Sequence, residues 1–349
     1  MAESYVVRRE FFHVGGEYAG PPGEEVMRGQ MYVEKWTPRD PRRRYPLVML
    51  HGMGQTATNW MGTPDGRPGW AERFARGGYT VYLIDQPARG RSAWQPGLDG
   101  EMRSLPASLE EWLFTASAAD PRWPQAVMHT QWPGSGKRGD PHFDAFYATQ
   151  VPFLADQVET QRLLLAAGSA LLDRIGAAVL LTHSQAGPFG WLLADARPSL
   201  VKAIVAVEPA GPPFENVVIA EGKARPWGLA DLPLAYDPPV AGAGDLQVER
   251  QDAPDGPGLV RCWQQKSPAR RLKNLADIPV LLLTGEASYH AAYDHCTAQY
   301  LAAAGVAADF VRLADRGLHG NGHMVMLEEN SADIAALIED WLAGAIAAG

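Results

Sequence analysis

Ser184 lies in Leu181-Thr182-His183-Ser184-Gln185-Ala186-Gly187, where an apolar run ends and a helix-like stretch begins, in a small-x-Ser-x-small pattern. A strand turning sharply into a helix has no room for large side chains two positions either side of the turn residue, and the turn lifts that residue above the sheet. Thr182 and Ala186 meet this steric demand, although glycine would meet it better. A serine so placed is a candidate nucleophile, and the N–H of Gln185, opening the helix, faces developing negative charge. A serine at such a junction can also be a plain helix N-cap, so the motif needs partners.

Those partners are present. His51-Gly52-Met53-Gly54 closes another apolar run, and its glycines allow close backbone approach, so the N–H of Met53 is a second candidate oxyanion donor. Losing one such donor typically costs about 3–4 kcal/mol of transition-state stabilisation. A general base is offered by His319 or His323, and Glu208 and Glu286, each at the end of an apolar run, could orient it. His319 and His323 have the spacing of a metal pair only on a helix, and Gly320, Asn321 and Gly322 between them indicate a loop, so no metal is expected. Acyl transfer through serine requires no cofactor.

The elements that must position these groups follow from hydrophobic patterning. Nearly continuous apolar runs at 45–52, 79–86, 177–184, 201–208, 278–286 and 308–313 read as strands buried on both faces of a parallel sheet. Helix-like stretches at 67–77, 152–175, 187–196, 290–304 and 325–346 alternate with them, which predicts a doubly wound α/β sheet. Segments 11–16 and 24–36, separated by a turn-rich stretch from Gly15-Gly16 to Gly23, are expected to form an antiparallel edge. Two segments, 93–150 and 211–272, break the alternation and read as cap insertions in a single domain spanning 1–349. They hold six of the eleven tryptophans, Trp94, Trp112, Trp123, Trp132, Trp227 and Trp263, which suits either an aromatic pocket roof or loops packed down by large side chains.

Composition excludes other classes. A net charge of −9 has the wrong sign for a protein that lives on nucleic acid or anionic lipid. No run of about 18 apolar residues is present, so no membrane partner is expected. Two cysteines, Cys262 and Cys296, are too few for a disulfide framework, and with no apolar leader visible the expectation is a reducing, cytoplasmic location.

Taken together, the chain from 45 to 346 resembles the α/β-hydrolase superfamily. Asp85-Gln86-Pro87-Ala88-Arg89-Gly90-Arg91-Ser92 is similar to its D-x-x-G-x-G-x-S turn, with Ala88 in place of the first glycine. GQMYVE (29–34), TPDGRPGW (63–70), QWPG (131–134), RGDP (138–141) and HGNGHM (319–324) resemble a small bacterial and fungal esterase branch. That resemblance implies an α/β-hydrolase fold and a Ser–His–Glu triad whose acid follows strand six. Most of the superfamily carry the acid after strand seven, but Thr284-Gly285-Glu286-Ala287-Ser288 puts Ser288 there, so Glu208 is selected over Glu286. His323, before the final helix, matches the catalytic histidine of HGNGHM, and the order Ser184, Glu208, His323 suits the fold.

The implied activity is carboxylic-ester hydrolysis through an acyl-enzyme on Ser184. Lactone, amide or carbon–carbon hydrolysis and acyl transfer share the first step, and a catalytically silent small-molecule receptor on the same fold is the alternative from another class. His51, His183, Trp132, Trp227 and His319 are candidates for the substrate surround, with His51 and His183 also readable as packed supports. The expected partner is a small apolar or aromatic ester, and a homodimer is left open.

Overall fold

The computed structural model describes residues 5–347. Eight strands form the central sheet: β1 (Val7–Ala19), β2 (Val26–Pro38), β3 (Leu47–Leu50), β4 (Val81–Asp85), β5 (Ala178–His183), β6 (Val201–Val207), β7 (Val280–Thr284) and β8 (Ala308–Arg312). Their spatial order is β1-β2-β4-β3-β5-β6-β7-β8. The first two pairings are antiparallel and the rest parallel, which is the α/β-hydrolase arrangement.

The unbroken apolar runs arise because both faces of the parallel strands are covered. Along β3, Leu47 and Met49 enter one core cluster, while Val48 and Leu50 enter the other. The first cluster lies under α1 (Trp70–Arg76), α6 (Ser331–Ala347) and the first insertion, whose α2 (Pro141–Tyr147) supplies Phe143 and Phe146. The second lies under α3 (Gln157–Ile175), α4 (Gly187–Ala196) and α5 (Asp294–Ala303), through Leu164, Leu171, Phe189, Leu193 and Tyr300. Each fully buried leucine or phenylalanine contributes about 1.5–3 kcal/mol.

The edge hairpin is longer than its sequence signals indicate. β1 is largely exposed and carries charge, and it runs straight through Gly15 and Gly16, which read as turn residues but lie within the strand at φ +65° and +86°, with Gly15 opposite Gln30. Gly15 is needed for helix contact: a Cβ there would stand 2.9 Å from Ala167 Cα on α3.

The long segment between β4 and α3 carries α2, a helical turn at Ala107–Glu110 and a π-helical turn at Glu111–Thr115, and its base is closed by Met102–Arg103 pairing with Phe153–Leu154. The segment between β6 and β7 holds three two-stranded ladders. Cys262 on this segment forms a disulfide with Cys296 on α5, the Cα atoms 5.2 Å apart. This corrects the expectation, drawn from there being only two cysteines, that they do not form a disulfide. The sequence reading missed it because 34 residues separate the two and only the fold brings them together.

Candidate active site

The parallel strands end at one edge of the sheet, where open α/β sheets place their ligands. The loops after β3, β5, β6, β7 and β8 meet there. Ser184 follows β5 directly and adopts φ +55°, a left-handed conformation that costs a non-glycine residue about 1–3 kcal/mol unless its surroundings enforce it. Ala210, beyond β6, donates its N–H to the Ser184 carbonyl at 2.8 Å and so helps to hold the turn. Ser184 is half-buried, whereas Glu208 and His323 are fully buried.

The glycine loop after β3 packs directly on this turn. A Cβ on Gly52 would sit 3.1 Å from Ser184 Cβ and 3.0 Å from His183 Nδ1, closer than ordinary packing, so any larger residue would push this loop and the Ser184 turn apart. The backbone N–H groups of Met53 and Gln185 belong to the two segments that meet here. Arg89, buried in the turn after β4, binds them together: Nη1 donates to the Gly52 carbonyl at 2.9 Å and Nη2 to Gln185 Oε1 at 3.1 Å. Burial lowers its guanidinium pKa to about 9. Asp85 anchors the same turn, accepting from Ala57 N at 2.9 Å and from Arg91 Nε at 2.8 Å. Ala88, standing where the related motif has glycine, does adopt the left-handed φ of +59°.

Glu208 ends β6 at φ +45° and lies 2.5 Å from His323 Nδ1 through Oε2. Ser288 donates to the same oxygen at 2.7 Å, and the Gly285 N–H donates to Oε1 at 2.7 Å. Burial pushes the carboxyl well above its ordinary value, with Asp294 adding to the effect, while Ser288 and Gly285 oppose it by favouring the carboxylate. Burial, with His183 and His290 nearby, holds the His323 imidazole well below its usual value, so it rests neutral. The geometry suits a base whose Nδ1–H is fixed by a carboxylate and whose Nε2 is left to accept a proton.

The loop carrying His323 is clamped from beneath. Glu328, fully buried, accepts from Gly322 N–H at 2.8 Å and from the Asn321 amide at 2.7 Å, and pairs with His129 Nε2 at 2.8 Å. His129 belongs to the first insertion, where its Nδ1 meets Ser117 Oγ at 2.9 Å. Phe114, from the π-helical turn, stacks on the His323 ring at 5.1 Å. Tyr289, on the turn after β7, places its hydroxyl 3.4 Å from His323 Nε2.

The other sequence candidates fall elsewhere. His51 is fully buried, accepts from Gln86 N–H at Nε2 and contacts the Gly52 carbonyl through Nδ1, a support for the loop and not a pocket surface. His183 is likewise a buried support, with Nε2 3.1 Å from the His323 carbonyl oxygen. Burial drives both imidazoles down to about 3, so both stay neutral. The His319 side chain is 64% exposed and pairs with Glu286 at 3.2 Å. Trp132 packs edge-on to Phe146 in the core, and Trp227 packs on the cluster of the opposite sheet face.

Sequence reasoning did not find Tyr289, Phe114 or the His129–Glu328 pair. Only Ser288 had a visible signal, as the residue occupying the place of the usual acid. Glu208, His290 and His323 place ligand-type atoms within 4.8 Å of one another. Their polar atoms are engaged within the protein, His290 with Asp294 at 2.9 Å and with Tyr293 at 3.0 Å, as in a hydrogen-bonded network.

The sequence matches the alpha/beta hydrolase fold family over residues 45–242. It is 49% identical over 333 residues to the probable secreted lipase phiG of Fungal sp. (strain ATCC 74256), covering 95% of this chain and 88% of that protein. Among solved structures it is similar to a novel bacterial esterase, with a TM-score of 0.70 and 26% identity over 99% of this chain and 98% of the other.

Proposed function

The chain belongs to the alpha/beta hydrolase family, whose relatives here include an esterase and a lipase, and from that premise we propose that it is a serine carboxylic-ester hydrolase. Ser184 attacks the ester carbonyl and passes its proton to His323 Nε2, while the N–H groups of Met53 and Gln185 receive the oxyanion. Collapse expels the alcohol, which takes that proton, and water then repeats the sequence on the acyl-enzyme. Glu208 fixes the tautomer of His323 and balances the imidazolium.

The observation that carries this reading is the 2.5 Å pairing of Glu208 with His323, with Ser288 bound to the same carboxylate from the loop where most relatives keep their acid. Phe114, stacked on the His323 ring, and Trp123, edge-on to Tyr289, put aromatic side chains beside the proposed triad, which favours an ester with an apolar acyl or alcohol group. The disulfide, and the word secreted in the name of the fungal relative, favour work in an oxidising compartment outside the cytoplasm. Among the described residues no helix is long and apolar enough to cross a membrane.

Hydrolysis of a graded series of p-nitrophenyl esters, acetate to long-chain, by wild type and Ser184→Ala tests the proposal. Turnover confined to the wild type is expected. Equal turnover by the two proteins, or none by either, contradicts it.

A further inference from the structure

Tyr289 has no role in the triad, yet it is built into it. Its phenol is buried, its hydroxyl lies 3.4 Å from His323 Nε2, and that hydroxyl also interacts with the hydroxyl of Ser184. The ring is held from both sides. Trp123 of the first insertion stands edge-on to it at 6.0 Å and anchors its own Nε1 on the Ala287 carbonyl at 3.0 Å. Ser288, the preceding residue, bonds to Glu208 and caps the turn by accepting from His290 N–H at 3.1 Å. One short turn therefore supports the acid end of the triad with Ser288 and reaches its proton-transfer end with Tyr289.

The atom facing His323 Nε2 during collapse of the tetrahedral intermediate is the departing alcohol oxygen, because Nε2 is where its proton comes from. Resting on the serine-esterase reading above, we infer that Tyr289 is a further catalytic residue that donates a hydrogen bond to the leaving-group oxygen as the acyl-enzyme forms. The Ser184 Oγ–carbon bond forms and the carbon–alkoxy bond breaks. The proton that left Ser184 passes from His323 Nε2 to the alkoxy oxygen, and Tyr289 keeps its own proton throughout. In deacylation the attacking water occupies the same position and meets the same hydroxyl. Burial and the charge of Glu208 raise the phenol well above its ordinary value, so it stays a donor at any working pH.

A hydrogen bond to a departing oxygen matters in proportion to the basicity of that oxygen: an alkoxy oxygen keeps its charge localised and needs a donor to leave, whereas p-nitrophenolate spreads the charge over its ring and leaves without one. Two esters with the same acyl group, one of p-nitrophenol and one of a simple alkyl alcohol, separate this role from a structural one. Tyr289→Phe keeps the ring between Trp123 and His323 and removes only the hydroxyl. The expected result is a fall in kcat/KM of about 10- to 100-fold for the alkyl ester and of less than about threefold for the p-nitrophenyl ester. Placing 3-fluorotyrosine at 289 retains the hydroxyl and should keep alkyl-ester turnover within a few-fold of wild type, even if the phenylalanine variant folds poorly. Equal losses on both esters, no loss on either, or collapse of activity with 3-fluorotyrosine overturns the assignment alone. Absence of Ser184-dependent turnover in the wild type overturns the esterase reading, and the role of Tyr289 with it.

Discussion

Replacing Glu110 by glutamine should stabilise the protein, and by an amount that grows with pH. Glu110 sits at the end of the helical turn that leads into the π-helical turn bearing Phe114, and it is fully buried. Neither carboxyl oxygen has a hydrogen-bond partner among the described residues. Burial alone pushes its pKa from the ordinary 4.5 up to about 8. The folded protein thus holds a proton that the unfolded chain has released across this window, so folding stability is undiminished below about 4.5, falls as pH rises, and levels off above about 8. At 1.36 kcal/mol per decade the full gap corresponds to about 5 kcal/mol, with about 3 kcal/mol lost at pH 7. Glutamine mimics the neutral acid and cannot ionise. Urea unfolding of both proteins at pH 5, 7 and 8.5 should give a difference below about 1 kcal/mol at the first pH, rising to about 3 and then about 5 kcal/mol. A difference independent of pH would refute the assignment of Glu110 as a buried, unpaired acid.

Glu208→Gln should lower kcat by about 10³-fold or more with the fold intact, because the amide presents the wrong partner to His323 Nδ1. Glu286→Gln, at a carboxylate that pairs with His319 and accepts from the Gly320 N–H, should cost less than about tenfold, and steady-state kinetics showing the reverse ranking would move the acid to the β7 loop. Replacing Cys262 and Cys296 by serine opens a loop closed across 34 residues and should lower unfolding free energy by roughly 4 kcal/mol on chain entropy. Equilibrium unfolding with and without reductant checks this, and insensitivity of the wild type to reductant would show that the bond contributes nothing.

What could be read from the sequence was local. The turn at Ser184 is set by small residues at 182 and 186, the loop proposed to hold the oxyanion by Gly52 and Gly54, and the buried strands by their unbroken apolar runs, each a signal within a few residues. Glu208 was selected for a different reason: Ser288 stands where most of the superfamily keep the acid, and in the structure that serine donates to the Glu208 carboxylate. Tyr289, Phe114, Trp123 and His129 reach the site from turns with no periodic pattern, and nothing in their neighbours fixes where they point. The tryptophans divide accordingly, with Trp123 standing over Tyr289 and Trp227 packing on the far side of the sheet. The Gly15-Gly16 pair misled because glycines with positive φ serve as well for close packing as for turns, Gly15 against Ala167 of α3 and Gly16 against Met27 and Gln30 of β2.

The nucleophile itself is tested most directly by reacting wild type, Ser184→Ala and Glu208→Gln with a fluorophosphonate and locating the adduct by peptide mass spectrometry. A single adduct on Ser184, absent from Ser184→Ala and formed far more slowly in Glu208→Gln, is the expected result. An adduct on another residue, or none on folded wild-type protein, would contradict the assignment of Ser184 as an activated nucleophile.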